Sequence, residues 1–302
     1  MQLARPFFNL LNGFSFLIHT ASIHMNLIIQ SLNAISPLKL KPLVSLTRAV
    51  GIEPITDRAY RLLKASPHDA VASYCREQQF DYGYVRPKQK ITDFGLVAMD
   101  MDSTLINIEC IDELADLTNQ KLQVAAITEA AMHGEIDFAE SLRRRVALLE
   151  GLPESALQQV YDERLQLSPG TEILLQRLQQ LGIKTLLVSG GFEFFTERLQ
   201  QRLKLDFTQA NKLEIVDGKL TGKVQGSIFD AQGKADYLVH TRKHLGLKSD
   251  QVIVLGDGAN DIKMMRQAAV SIAYHAKPIV LTQASYAFNF VGLDGVLALF
   301  GE

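Results

Sequence analysis

Cysteine is scarce in this chain: Cys75 and Cys110 are the whole supply. Two thiols cannot staple a small secreted scaffold, and they fit a reducing, cytoplasmic compartment. An excess of either charge is also missing. Lys and Arg number 31 against 33 Asp and Glu, a formal net charge of −2. A general nucleic-acid binder would carry a basic surplus, so that class is excluded. Tryptophan is absent, which decides nothing. No clean apolar run reaches the roughly 20 residues that a spanning helix needs. The nearest approach, residues 6–23, is interrupted by Asn9, Asn12, Gly13, Ser15 and His19. Only Arg5 precedes it as a basic flank, and no A-x-A-like cleavage site follows. Residues 1–24 are therefore expected to be a disordered extension, or sequence ahead of a true start at Met25, with no membrane role. Internal repeats and low-complexity tracts are lacking as well.

What is present suits a packed globular protein. Apolar residues make up 47% of the 302 positions and charged ones 21%, enough apolar surface to offset the ordering entropy. The length favours two domains. Residues 25–86 read as a small α+β unit of β-α-β-α type. Its strands are expected over Asn26–Gln30 and Tyr60–Leu63, and its helices over Pro37–Val50 and Pro67–Gln79. Ser66 is the expected N-cap of the second helix. Gly83 to Asp93 reads as a linker. From Phe94 the pattern changes. An apolar run to Met99 suits a buried strand. A helical stretch follows over about 111–167, traced through Leu142, Val146 and Leu149 and through Leu157, Val160 and Leu165. Strand and helix then alternate. Strands are expected at Ile183–Val188, Val252–Leu255 and Val270–Ala273, with a hairpin at Leu213–Val224 turning on Asp217-Gly218. Such alternation predicts an α/β fold, a doubly wound parallel sheet over 91–302 with an inserted helical cap.

In open α/β sheets ligands bind at the carboxyl ends of strands. Three strand ends here carry Asp100-Met101-Asp102-Ser103-Thr104, Ser189-Gly190-Gly191, and Gly256-Asp257-Gly258-Ala259-Asn260-Asp261. Packing needs no carboxylates at buried strand ends. Asp100, Asp102 and Asp257 brought together repel one another unless a cation intervenes, and oxygen ligands beside a phosphate favour Mg²⁺. Ser189 and the glycine amides suit a phosphate. A free carboxylate there can attack phosphorus, and a second one two residues on can serve as general acid and base. The site accounts for itself as metal-assisted phosphoryl transfer.

These segments, with Lys234, resemble the four motifs of the haloacid dehalogenase superfamily of phosphatases. The match is closer still to the members acting on phosphoserine. It extends over Asn107–Glu113 and over Gly134–Phe138 through Leu142–Val146, and it runs from about residue 91 to 300. The resemblance implies that Asp100 is the nucleophile and Asp102 the general acid/base. Asp100, the backbone carbonyl of Asp102, and Asp257 would hold Mg²⁺, with Asp261 orienting the metal's outer shell. Ser189, Gly190 and Lys234 would bind the phosphate, and Asn260 would line the phosphate or nearby water. Glu109 would face the substrate ammonium, Arg145 would clamp its carboxylate in a fork, and Phe138 would close the apolar side. The implied reaction is the last step of L-serine biosynthesis, with phosphoserine as the small-molecule substrate. A homodimer is compatible with it.

Plainer readings stand beside these. Asn260 and Asp261 can serve as helix caps, and Glu109, Asp112 and Glu113 as acids at a helix N-terminus. Arg143 and Arg144 read as a solvated face. Cys110 reads as a small buried hydrophobe. His240 and His244 share a helix face without any zinc pattern. A phosphotransferase using homoserine or another alcohol as acceptor shares the chemistry up to the aspartyl-phosphate, so it stays open. A serine-sensing protein with a vestigial site is disfavoured by the intact carboxylates. The unit over 25–86 resembles a regulatory ACT-type domain loosely, which suggests a regulatory or dimerising role.

Overall fold

A computed structural model describes residues 25–301. The expectation for residues 1–24 lies outside the described residues. The first unit contains strands Met25–Gln30 (β1), Gly51–Thr56 (β2), Ala59–Ala65 (β3) and Asp81–Val85 (β4), with helices Lys41–Thr47 (α1) and Ala70–Glu77 (α2). The strands form one antiparallel sheet in the order β2-β3-β1-β4.

The expected β-α-β-α pattern is thus corrected to β-α-β-β-α-β. The missed strands have physical causes. β2 lies at the sheet edge with no fully buried residue, and it carries Pro54, which only an edge tolerates. Its apolar signal is correspondingly faint. β4 was hidden by Gly83, which is there for close approach: a methyl added to it would lie 2.7 Å from Leu299 and Tyr286. The first helix ends at Thr47, where Arg48 turns left-handed at φ 55°. The second starts at Ala70 with Asp69 in the N-cap position, so Ser66 does not cap it.

The larger unit begins with strand Leu96–Met99 (β5), all four residues buried. Four helices follow: Cys110–Leu117 (α3), Lys121–Met132 (α4), Phe138–Ala147 (α5) and Ser155–Glu163 (α6). Then come Thr171–Gln180 (α7), Lys184–Phe192 (β6), Glu193–Leu203 (α8), Phe207–Val216 (β7), Lys219–Gln225 (β8), Ala231–His244 (α9) and Val252–Gly256 (β9). The chain closes with Ile262–Met265 (α10), Val270–Tyr274 (β10), Pro278–Leu281 (α11), Tyr286–Phe288 (β11) and Gly295–Phe300 (α12). The seven strands lie in the order β11-β10-β9-β5-β6-β7-β8. All neighbours are parallel except the β7/β8 hairpin. The α/β fold with its parallel sheet is therefore as the alternation implied. The helix after β9 is short, a single turn of Ala259–Asp261 running into α10.

Burial on both sides explains the continuous apolar runs of the central strands. Side chains alternate across the sheet. Val97, Met99, Ile253 and Leu255 join one core layer, while Leu96, Ala98, Val252 and Val254 join the other. Each of the fully buried valine, leucine, isoleucine and methionine side chains contributes roughly 1.5–3 kcal/mol.

The first unit has its own small core on one face, with Leu27, Ile29, Leu43 and Leu62. Its other face supplies Ile28 and Val85 to the main core, beside Val296, Leu299 and Phe300 of α12. One buried acid fastens the two units. Asp81 in β4 accepts backbone N–H bonds from Asn289, Phe290 and Val291 at 2.8, 2.8 and 2.9 Å. Among the described residues, no helix is long and apolar enough to cross a membrane.

Candidate active site

β9, β5 and β6 are adjacent in the sheet, so their carboxyl ends open on one place. Asp100 follows β5, and its backbone N–H donates to the Leu255 carbonyl at 3.1 Å. This bond ties the ends of β5 and β9 together. Asp257 follows β9, and Asp261 begins α10. Asp100, Asp257 and Asp261 each offer a carboxylate oxygen within 4.8 Å of the others. Lys234, in the first turn of α9, reaches this floor. Its Nζ lies 2.6 Å from Asp100 Oδ1 and 2.9 Å from Asp261 Oδ1. Asp261 also accepts from the Gly258 N–H at 3.1 Å. It therefore does both jobs the sequence allowed, holding its own turn and facing the cluster.

Electrostatics follow from burial. Loss of hydration raises the Asp100 carboxyl well above its ordinary value, Asp261 adds to this, and Lys234 opposes it. Burial alone would release the Lys234 proton, but Asp100 and Asp261 outweigh it and hold the ammonium. Asp257 is pushed up to about 6, by burial first and then by Asp261. One ammonium among three acids leaves the floor short of positive charge. An all-oxygen donor set with that deficit fits a hard divalent cation.

Asp102 stands on the next turn, Met101–Leu105, which breaks from helical geometry at Asp102 and at left-handed Ser103 (φ 56°). Its Oδ1 accepts from the Cys110 N–H at 2.9 Å and its Oδ2 from Ser189 Oγ at 3.1 Å. Burial raises its carboxyl while these bonds pull the other way. Ser189 Oγ accepts in turn from the Gly191 N–H at 2.8 Å. A methyl added at Gly191 would lie 2.8 Å from Asp102 Oδ2, so only glycine lets the turn approach that acid.

The cap supplies the opposite wall. Glu109 stands at the N-cap position of α3 and accepts from Ser103 Oγ at 2.8 Å. Lost hydration, then the Asp102 charge, push its carboxyl up to about 7. Phe138 opens α5 and packs over Gly190, where an added methyl would meet its ring at 2.9 Å. Arg145 is half-buried and feels the charges of Asp112, Glu109 and Asp102. Burial lowers its pKa and those acids counter the effect. Arg143 and Arg144 remain exposed beside Glu140, as a solvated face should.

The fold thus gathers Asp100, Asp102, Asp257, Asp261, Lys234 and Ser189 at adjoining strand ends. Glu109, Phe138 and Arg145 come from the cap, and the Asn260 amide oxygen folds over Gly258 without capping α10. The resemblance implies an outer-shell place for Asp261, and its carboxylate lies within the cluster itself. Two residues were missed. Lys277 follows β10, donates its N–H to the Asp257 carbonyl at 2.9 Å, and its charge opposes the upward shifts of Asp257 and Glu109. Inspection of the fourth strand end would have found it. Asn211 is buried behind Gly190, and only strand register reveals it.

Acids and a lysine at the carboxyl edge of a parallel sheet, under a helical cap, define a hydrolase of phosphate monoesters. The haloacid dehalogenase-like hydrolase model matches residues 94–269, and the chain belongs to that family. Within it, the chain is similar to a phosphoserine phosphatase of Polaromonas sp. (strain JS666), 52% identical over 70% of this chain and 92% of the relative. Among solved structures, a probable phosphoserine phosphatase from Vibrio cholerae aligns with TM-score 0.80 and 36% identity, over 92% of this chain and 86% of the other. A phospho-aspartyl intermediate analogue of phosphoserine phosphatase aligns with TM-score 0.64 and 36% identity, over 68% of this chain and 97% of the other. Residues 27–71 match a domain of unknown function (DUF4072).

Proposed function

We propose that this chain hydrolyses O-phospho-L-serine to L-serine and inorganic phosphate through an aspartyl-phosphate, as the closing reaction of serine biosynthesis. The observation that carries the reading is the meeting of a buried acid–lysine floor, Asp100 Oδ1 to Lys234 Nζ at 2.6 Å, with a cap wall of Glu109 and Arg145. A phosphate monoester alone would need only the floor. A zwitterionic amino acid needs the acid and the guanidinium as well. The relatives named phosphoserine phosphatase support the same substrate.

In this reading an Asp100 oxygen attacks phosphorus as the serine alkoxide departs. Asp102 gives its proton to that alkoxide, and its raised pKa favours the protonated form needed. Water, deprotonated by Asp102, then attacks the aspartyl-phosphate and releases phosphate, restoring Asp100. Ser189, the Gly190 amide, Lys234 and Asn260 hold the phosphoryl oxygens, and Lys234 offsets their growing charge. Asp100, Asp257 and the Asp102 carbonyl would hold Mg²⁺, with Asp261 supporting them. When bound, the ion would supply positive charge that offsets the repulsion between the substrate phosphate and the Asp100 carboxylate. Glu109 takes the substrate ammonium, Arg145 its carboxylate, and Phe138 closes the apolar side. We place the enzyme in the cytoplasm, as a homodimer whose unit at 25–86 regulates or dimerises.

The test is a panel of phosphorylated metabolites with Mg²⁺ present and after chelation, with products analysed with and without homoserine. Mg²⁺-dependent release of serine and phosphate, with phosphoserine preferred, is expected. Metal-independent turnover, another preferred substrate, or phosphohomoserine as the main product would overturn the reading.

A further inference from the structure

Between Val188 and Phe192 the ladder of β6 on β7 slips. Val188 pairs with Gln209 and Phe192 with Asn211, so four steps of one strand oppose two of the other. The two extra residues bulge out of the sheet as the Ser189-Gly190-Gly191 turn. Such bulges re-aim side chains beside active sites, but they also strip backbone groups of their ladder partners. Asn211 replaces the missing partner. Its side chain is buried, and Nδ2 donates to the Gly190 carbonyl at 2.9 Å and to the Phe229 carbonyl at 3.0 Å. Its Oδ1 accepts the Phe229 N–H at 2.7 Å. Phe229 directly precedes Asp230, the N-cap of α9, whose side chain accepts from the Gln232 and Gly233 N–H groups. Lys234 is the next residue.

We infer that Asn211 is a positioning residue that sets the distance between the phosphate-binding turn at Ser189–Gly191 and the ammonium of Lys234. The inference rests on the phosphatase reading and names what holds two of its phosphate contacts in register. Only a carboxamide serves. Two carbonyls and one N–H face the side chain, so two donors and one acceptor are required. Aspartate has no donor and would repel both carbonyls. Leucine would leave all three backbone groups unsatisfied. Misplacement by about 1 Å in such a site can cost on the order of 10²-fold in rate.

The experiment uses the full chain with Mg²⁺ and measures an aryl phosphate as well as phosphoserine. Asn211→Asp and Asn211→Leu are compared with Asp206→Ala. Asp206 binds Thr185 and Lys184 at the far end of β6 in a similar way, with bonds of 2.6 to 3.0 Å, away from the site. Asn211→Ser provides a milder variant should the others fail to fold. Expected is a fall in kcat/KM on the order of 10²-fold on both substrates. The inhibition constant for inorganic phosphate should rise at least about tenfold, since one pair of phosphate contacts is displaced. That constant does not depend on the folded fraction, so lowered stability alone cannot move it. Asp206→Ala should lose melting temperature but keep its phosphate affinity. An unchanged phosphate inhibition constant in the Asn211 variants, or an equal rise in Asp206→Ala, overturns the inference. Failure of the wild type on phosphoserine, with turnover of aryl phosphate retained, would instead strike the substrate reading and leave this test in force.

Discussion

The floor of the site and its cap wall differ in how they are held. Asp100, Lys234, Asp257 and Asp261 are each at most 8% exposed. Glu109 and Arg145 come from the cap, where Arg145 is half-buried and Glu109, open to solvent along one edge, has its carboxyl turned inward to Ser103 and partly dehydrated. Burial explains the floor's chemistry. Charges that cannot turn to water stay where the backbone puts them, and in the proposed reaction they would meet the phosphate without reorganising. The wall has no such constraint. Its groups keep part of their hydration and suit recognition, where a fork of donors must match a carboxylate rather than drive a bond change. Changes in the floor should therefore strike turnover and stability, and changes in the wall should strike the choice of substrate.

The sharpest way to break this contrast is Asp100→Asn, which replaces the carboxylate that the proposed mechanism uses as nucleophile by a carboxamide of the same shape. Turnover of every phosphate monoester should fall by at least about 10⁴-fold, with the circular dichroism spectrum unchanged. Residual turnover within tenfold of wild type would remove the covalent step. Next in size is Lys234→Met. It leaves Asp100 and Asp261 buried without their ammonium, and breaking such a pair typically costs about 3–5 kcal/mol. Thermal unfolding of metal-free protein reads this directly, and Mg²⁺ should recover part of the loss.

Two smaller effects test the wall. Arg145→Lys keeps the charge and loses the fork. KM for phosphoserine should rise roughly tenfold, the loss of about 1.4 kcal/mol of bidentate bonding, while kcat/KM for an aryl phosphate changes less than about twofold. Equal losses on both would move Arg145 into the floor's group. Glu109 gives the smallest signal and a pH signature. Its carboxyl is pushed up to about 7, so it loses its charge as pH falls through that value. The ratio of kcat/KM for phosphoserine to that for an aryl phosphate should then decline below about pH 7, by up to about tenfold per pH unit. Glu109→Gln should flatten that ratio. A ratio independent of pH in the wild type would show that Glu109 does not face the ammonium.

The two units of the chain also differ in how far the sequence exposes them. In the larger unit, buried strands ending in acids and glycines are local signals, and Asp100, Ser189 and Asp257 could be named from them. The first unit offers weaker signals. β2 is an edge strand without a buried residue, and β4 contains a glycine required by a neighbour far along the chain. β11 has three residues and α12 six, too short for a periodic pattern to emerge.

The amino-acid order by itself determined the strand–helix alternation, the parallel sheet and the acids at its carboxyl edge. Each of these depends on residues within a few positions of one another. Only the tertiary structure decided that Lys234 meets both Asp100 and Asp261, that Asp261 joins the acidic cluster, and that Asp81 fastens the first unit to the loop at 289–291. It alone revealed Asn211 behind Gly190. The reason is physical. Such contacts are fixed by the register and packing of strands distant in sequence, and a charge takes its pKa from whatever that packing sets beside it.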